Sequence, residues 1–121
     1  MRFAAWTALV IGALMLAQWG FFIIAGAVPE FETEPYATAS HLIAEVATAM
    51  ALIVSGALLL RGRKRASRLA LVAFGMVLYA ALNSPGYFAE LGQWPLVAMF
   101  AAVLAVSLAA VIRLFALPDD A

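Results

Sequence analysis

The chain has 121 residues, 67% hydrophobic and 12% charged, with a mean hydropathy of +1.04 and a formal net charge of zero. A soluble domain is nearer half apolar and a quarter charged, and a core of this size cannot hide the excess, so the solvent must be lipid. Neutrality argues against a nucleic-acid partner, and the absence of cysteine excludes disulfides, thiol redox chemistry, iron–sulfur clusters and cysteine zinc sites.

Four apolar segments are each long enough to cross a ~30 Å hydrocarbon layer, which takes about 20 residues. Backbone groups in lipid must be satisfied within the segment, so each is expected to be an α-helix. The first covers residues 3–26. Met1-Arg2 at its start and Ala25-Gly26-Ala27 at its end resemble a secretory signal with a cleavage site, but the apolar run is long for such a signal, and the segment is read as a retained span. The loop after it, VPEFETEPYAT, carries Glu30, Glu32 and Glu34 between Pro29 and Pro35. Alternation in an extended segment puts the three carboxylates on one side. The Asp/Asn/Gly pattern of a dedicated calcium loop is missing, so they are read as solvated charge.

The second segment covers residues 38–60. Thr33 is a candidate cap for a helix opening at Glu34-Pro35, which would move this start earlier. The third, residues 66–83, begins inside a basic run, with Arg68 reaching back to the headgroups. NSPGYFAELGQWP then opens on a turn signal. Its Tyr87, Phe88 and Trp94 suit a belt at headgroup level, and YFAELG reads as a short segment lying in the interface. Pro95 fits the first turn of the fourth segment, residues 94–114. There is no internal repeat. The expectation is a single all-α unit over residues 1–121, a four-helix transmembrane bundle.

Charge placement sets the orientation. The seven Lys and Arg are Arg2, Arg61, Arg63, Lys64, Arg65, Arg68 and Arg113. With four crossings all of them fall on one side of the membrane, and the positive-inside rule makes that side the cytoplasm, with both termini. The run RGRKRASR is accordingly read as a topology signal in contact with lipid headgroups. Small size and alanine richness suggest a bacterial inner membrane.

The second segment also carries the chain's only histidine, His41, and Glu45 four residues on. At 100° per residue, His41, Glu45, Thr48 and Ser55 fall within an arc of roughly 80°, interrupted by Leu52. Lipid offers no hydrogen-bond partner, so this stripe is expected to face the bundle, and Glu45 to be protonated or hydrogen-bonded there. His41 and Glu45 would titrate as a coupled pair. Glu45 lies ~10 Å below residue 38, and Gln18 of the first helix ~12 Å below residue 26. Tyr79 sits one turn below Asn83 near the outer end of the third helix. The candidate ligand-binding residues are therefore Gln18, His41, Glu45, Thr48, Tyr79 and Asn83, around a polar cavity that opens outward or sideways in the outer half. The competing reading is packing alone, since such residues also join helices by hydrogen bonds. Ala47/Ala51, Ala98/Ala102 and Ala105/Ala109 are candidate close-approach pairs. One His and no Cys give two ligands where a catalytic zinc wants three, so no metal is expected. No catalytic nucleophile motif or phosphate loop is present.

Residues 44–80, AEVATAMALIVSGALLLRGRKRASRLALVAFGMVLYA, resemble the centre of DoxX-like small membrane proteins. Those four-helix chains place a Glu early in helix two, then small residues and a Gly-aliphatic run, then an Arg-containing turn. Glu45, Gly56 and Arg61 match these places. The Lys that often follows the glycine at the end of their first helix has no counterpart, since Ala27 and Val28 follow Gly26. The resemblance implies a four-helix fold and a link to quinone-coupled oxidation, as the small subunit of a thiosulfate-oxidising complex.

The resulting functional expectation is an accessory or binding membrane protein with no catalytic activity of its own, taking a small apolar or amphipathic ligand such as a quinone or lipid. A subunit of a quinone-coupled redox enzyme and a purely structural membrane subunit are the alternatives. No resident cofactor is expected, a quinone excepted. The expected partners are membrane lipids, with a homo-oligomer or a larger membrane complex left open.

Overall fold

Five helices run in chain order: α1 Arg2–Ile24, α2 Pro35–Leu60, α3 Ala66–Asn83, the short α4 Pro85–Glu90, and α5 Trp94–Phe115. The structure, a computed structural model, describes residues 2–26, 34–90 and 92–116. Among these there is no strand, and four stretches are long and apolar enough to cross a membrane: α1, α2, Ala66–Glu90 and α5. The protein is an all-α, four-helix membrane bundle. The long helices form a ring in which α1 packs on α2, α2 on α3, α3 on α5, and α5 back on α1.

Local signals account for most of the ends. Pro35 occupies the first turn of α2, which therefore starts earlier than residue 38. The residue at its cap is Glu34, which makes no side-chain capping bond. Thr33, Glu30 and Glu32 lie outside the described residues. At the other end Gly62 takes φ +67, a conformation that costs glycine little. Its N–H donates to the Leu59 carbonyl and that of Arg63 to the Leu58 carbonyl, closing the helix in a Schellman motif. The helix Pro85–Glu90 takes in Tyr87 to Glu90 of YFAELG, so Ser84-Pro85 re-opens a helix where a plain turn was expected, while Leu91 lies outside the described residues. Phe88 stacks on Phe100 of α5 with ring centroids 5.6 Å apart, which ties α4 to the bundle. Trp94 is exposed, as a headgroup-level belt requires.

The core is built from small residues. Ala4, Ala5, Ala8, Ala49, Ala70, Ala73 and Ala110 are fully buried, with Leu52 and Phe74 as the large members. Trp6, Leu14, Phe21, Ile24, Val72 and Ile112 are exposed instead. This inversion suits lipid, where large apolar side chains gain nothing by turning inward and close backbone approach supplies the attraction. The tightest approach is between α1 and α2. A Cβ on Gly56 would lie 2.8 Å from the Ala5 carbonyl oxygen, and one on Gly12 would lie 2.9 Å from that of Ala49. The expected alanine pairs do not make these contacts: Ala47, Ala98, Ala102 and Ala105 are exposed, and Ala51 and Ala109 are half-buried. In the half of the bundle near the arginines, the Ser55 hydroxyl donates to the Leu52 carbonyl, while the buried Ser107 hydroxyl has no partner.

The α1–α2 seam yields a direct test. Gly56→Leu must push two backbones apart, and overpacking of this kind costs about 1–3 kcal/mol. Gly20 has open space around it. Thermal unfolding in detergent should therefore show a clear drop in Tm for Gly56→Leu and little change for Gly20→Leu. Equal effects would mean that the helices do not meet at Gly56.

Candidate functional site

His41 and Glu45 sit one turn apart on α2, and i, i+4 spacing brings such side chains together. His41 Nε2 is 3.5 Å from Glu45 Oε1. The imidazole is half exposed, while the carboxyl side chain is only 13% exposed. Because α2 starts at Pro35, Glu45 lies ~15 Å along the helix, deeper than a start at residue 38 implied. A carboxyl this far into an apolar helix needs partners. α1 supplies the second one: the Trp19 indole stands beside Glu45, placed to donate to its carboxyl. The Trp19 ring also lies against His41, with centroids 5.7 Å apart, and meets Phe22 edge-on on its own helix. The acid is thus held from two directions, by its neighbour on α2 and by an aromatic donor on α1.

Thr48, the next residue of the polar stripe, is buried, and its hydroxyl donates to the Ala44 carbonyl at 2.7 Å. That bond satisfies the hydroxyl within α2 and makes Thr48 a wall of the site. Across from it α3 presents Val72, Gly75, Met76, Tyr79 and Asn83, spaced by three and four residues along one face. Between the two helices runs a groove of about 460 Å³, lined by His41, Glu45, Thr48, Tyr79 and Asn83 among others. Tyr79 is 72% exposed and Asn83 is also exposed, so the groove opens on the flank of α2 and α3. The polar residues thus meet on the flank of the bundle, between α2 and α3. Gly75 forms an open part of the groove, with no atom within 4 Å of where its Cβ would be.

Five of the six expected residues share this groove. Gln18 does not. It is half-buried on α1, and its neighbour Trp19 takes the place beside Glu45. The signal for Trp19 was the small-residue seam: Ala5 and Gly12 face α2, and Trp19 follows Gly12 by seven residues, hence on the same face. Among the described residues no three His, Asp or Glu side chains gather as metal ligands would.

A family model described as "Domain of unknown function (DUF8058)" matches residues 1–119, and the chain belongs to that family. No curated protein and no solved structure matches it.

Trp19 rather than Gln18 stands beside Glu45, and a double-mutant cycle separates the two. Trp19→Phe combined with Glu45→Gln should show an interaction energy of about 0.5–1.5 kcal/mol in thermal unfolding. Gln18→Ala combined with Glu45→Gln should be additive within about 0.5 kcal/mol. Coupling at Gln18 and none at Trp19 would reverse the assignment.

Proposed function

We propose that this DUF8058 protein binds a small amphipathic molecule, a quinone or a lipid, in the lateral groove between α2 and α3. The observation that carries the reading is an ionisable pair placed beside an open groove within an apolar span. His41 and Glu45 line one wall, and Tyr79 and Asn83 the other. Polar side chains facing lipid are costly unless something meets them. A ligand head bearing carbonyl or hydroxyl oxygens would exchange hydrogen bonds with the His41 imidazole, the Glu45 carboxyl and the Tyr79 hydroxyl. Val72 and Met76 would meet its apolar part. A quinone at this place would find a proton donor in the same pair, which is the role a small subunit of a quinone-coupled enzyme needs. The resemblance of residues 44–80 to DoxX-like chains points the same way.

Gly75→Leu tests the groove without breaking a contact, because the new side chain enters open space. Native mass spectrometry of the mildly extracted protein should show a bound quinone or lipid. Gly75→Leu should lower its occupancy about tenfold with Tm little changed, and the pair His41→Ala/Glu45→Gln should lower it by a similar factor. Retained quinone would favour the redox-subunit reading and retained phospholipid a binding protein. Unchanged occupancy with a lowered Tm would leave the pair a packing device.

We further propose a bacterial inner membrane as the location, with both termini in the cytoplasm. The support is the alignment of charge with topology. The loop Arg61–Arg65, Arg2 and Arg113 share one end of the bundle, while Glu34 and Glu90 lie toward the other. The chain has no cysteine, so Lys64→Cys and Glu90→Cys provide unique labels. In intact cells an impermeant maleimide should reach position 90 and not position 64, and the opposite pattern would invert the topology.

A further inference from the structure

A second groove lies on the other side of the bundle, between α1 and α5, and it has a different character. Its volume is about 480 Å³, and its walls are almost wholly apolar, including Phe3, Trp6, Val10 and Val103. The wall residues on α1 recur at three- and four-residue spacing, so the groove follows the helix for ~10 Å from Phe3 to Val10. Arg2 stands at its mouth. Arg113 of α5 completes that mouth, with its guanidinium carbon 4.6 Å from the centre of the Phe3 ring. Trp6 is 55% exposed at the depth where tryptophan favours the headgroup boundary.

Nothing in the described residues neutralises this end. The described acids are Glu34, Glu45 and Glu90, all toward the opposite end, and the one described ion pair is His41–Glu45. Two cations above an apolar slot that opens to lipid complement one class of molecule, an acid headgroup with an acyl tail. A second copy of the chain fits less well. Related by a two-fold axis along the membrane normal, it would bring its own Arg2 and Arg113 beside these, and like charges at short range repel.

We propose that the α1–α5 groove binds one anionic glycerophospholipid from the leaflet at the arginine end. An acyl chain lies along Phe3, Trp6, Val10 and Val103, and the phosphate is met by Arg2 and Arg113. Arginine suits the task because its planar guanidinium donates two parallel hydrogen bonds to phosphate oxygens. The site is separate from the α2–α3 groove in position, leaflet and chemistry, and stands or falls without it.

Native mass spectrometry with added dioleoyl-phosphatidylglycerol or dioleoyl-phosphatidylcholine in detergent tests the proposal. The wild type should retain one phosphatidylglycerol about tenfold more readily than phosphatidylcholine. Arg113→Gln should erase most of that preference, and Arg113→Lys should restore part of it. Val10→Trp fills the slot without changing charge and should lower retention of phosphatidylglycerol at unchanged Tm. Water-soluble glycerol phosphate should not bind, since it brings no acyl chain. Equal retention of the two lipids would overturn the site. So would a preference that survives both Arg113→Gln and Val10→Trp, or one that is lost only when Arg61, Arg63 and Lys64 are changed to Gln. A dimer that Val10→Trp dissociates would identify the groove as an interface between copies instead.

Discussion

The contact between α1 and α2 at Gly12 and Gly56 is the constraint on which the remaining geometry depends. Each glycine faces a backbone carbonyl of the other helix at a distance that leaves no room for a side chain. Two such points, Gly56 against Ala5 and Gly12 against Ala49, fix the register of an antiparallel pair. Continuing that register outward by seven residues on α1 and eight on α2 brings Trp19 to His41. The placement of the ionisable pair against an indole is thus a consequence of where two glycines lie in the other half of the seam.

Lipid explains why the bundle is arranged this way round. In water a core of alanine, glycine and serine would bury too little apolar surface to hold. In a bilayer the large side chains are as well placed outside as inside, and close approach of small residues supplies the attraction. Polar and apolar grooves both lie on the flanks, between neighbouring helices. One carries hydrogen-bonding groups with an acid–imidazole pair, and the other is apolar with arginines at its mouth. Their different chemistry follows from the charge distribution among the described residues, with Glu34, Glu45 and Glu90 toward one end of the bundle and the arginines and Lys64 at the other.

Much of the architecture was legible in the residues. Length and apolarity located the four spans, and Pro35 and Pro95 marked helix starts. The stripe His41, Glu45, Thr48 was correctly placed on one face, because α2 is polar enough on that face to show it. α1 has little polar asymmetry, and its Gln18 does not line the groove. Depth could be counted from the helix rise, which brought Gln18 to about the right level, but rotation about the axis had no polar marker. Trp19, one residue on and turned by 100°, holds the position. The seam of Ala4, Ala5, Ala8 and Gly12 encodes that rotation, yet in an alanine-rich chain it stands out little from other small-residue pairs. The groove itself depends on the space beside Gly75, which no local pattern announces.

The central claim is that α1 meets α2 in the register that seats Trp19 on His41. Solid-state NMR on the protein in lipid bilayers tests it directly, because the chain has a single histidine. With Trp6 and Trp94 replaced by phenylalanine and both ring systems carbon-13 labelled, the account predicts a through-space cross-peak between the Trp19 indole and the His41 imidazole, whose centroids lie 5.7 Å apart. No cross-peak in a folded sample, or one that appears only when Trp94 is restored, would contradict it.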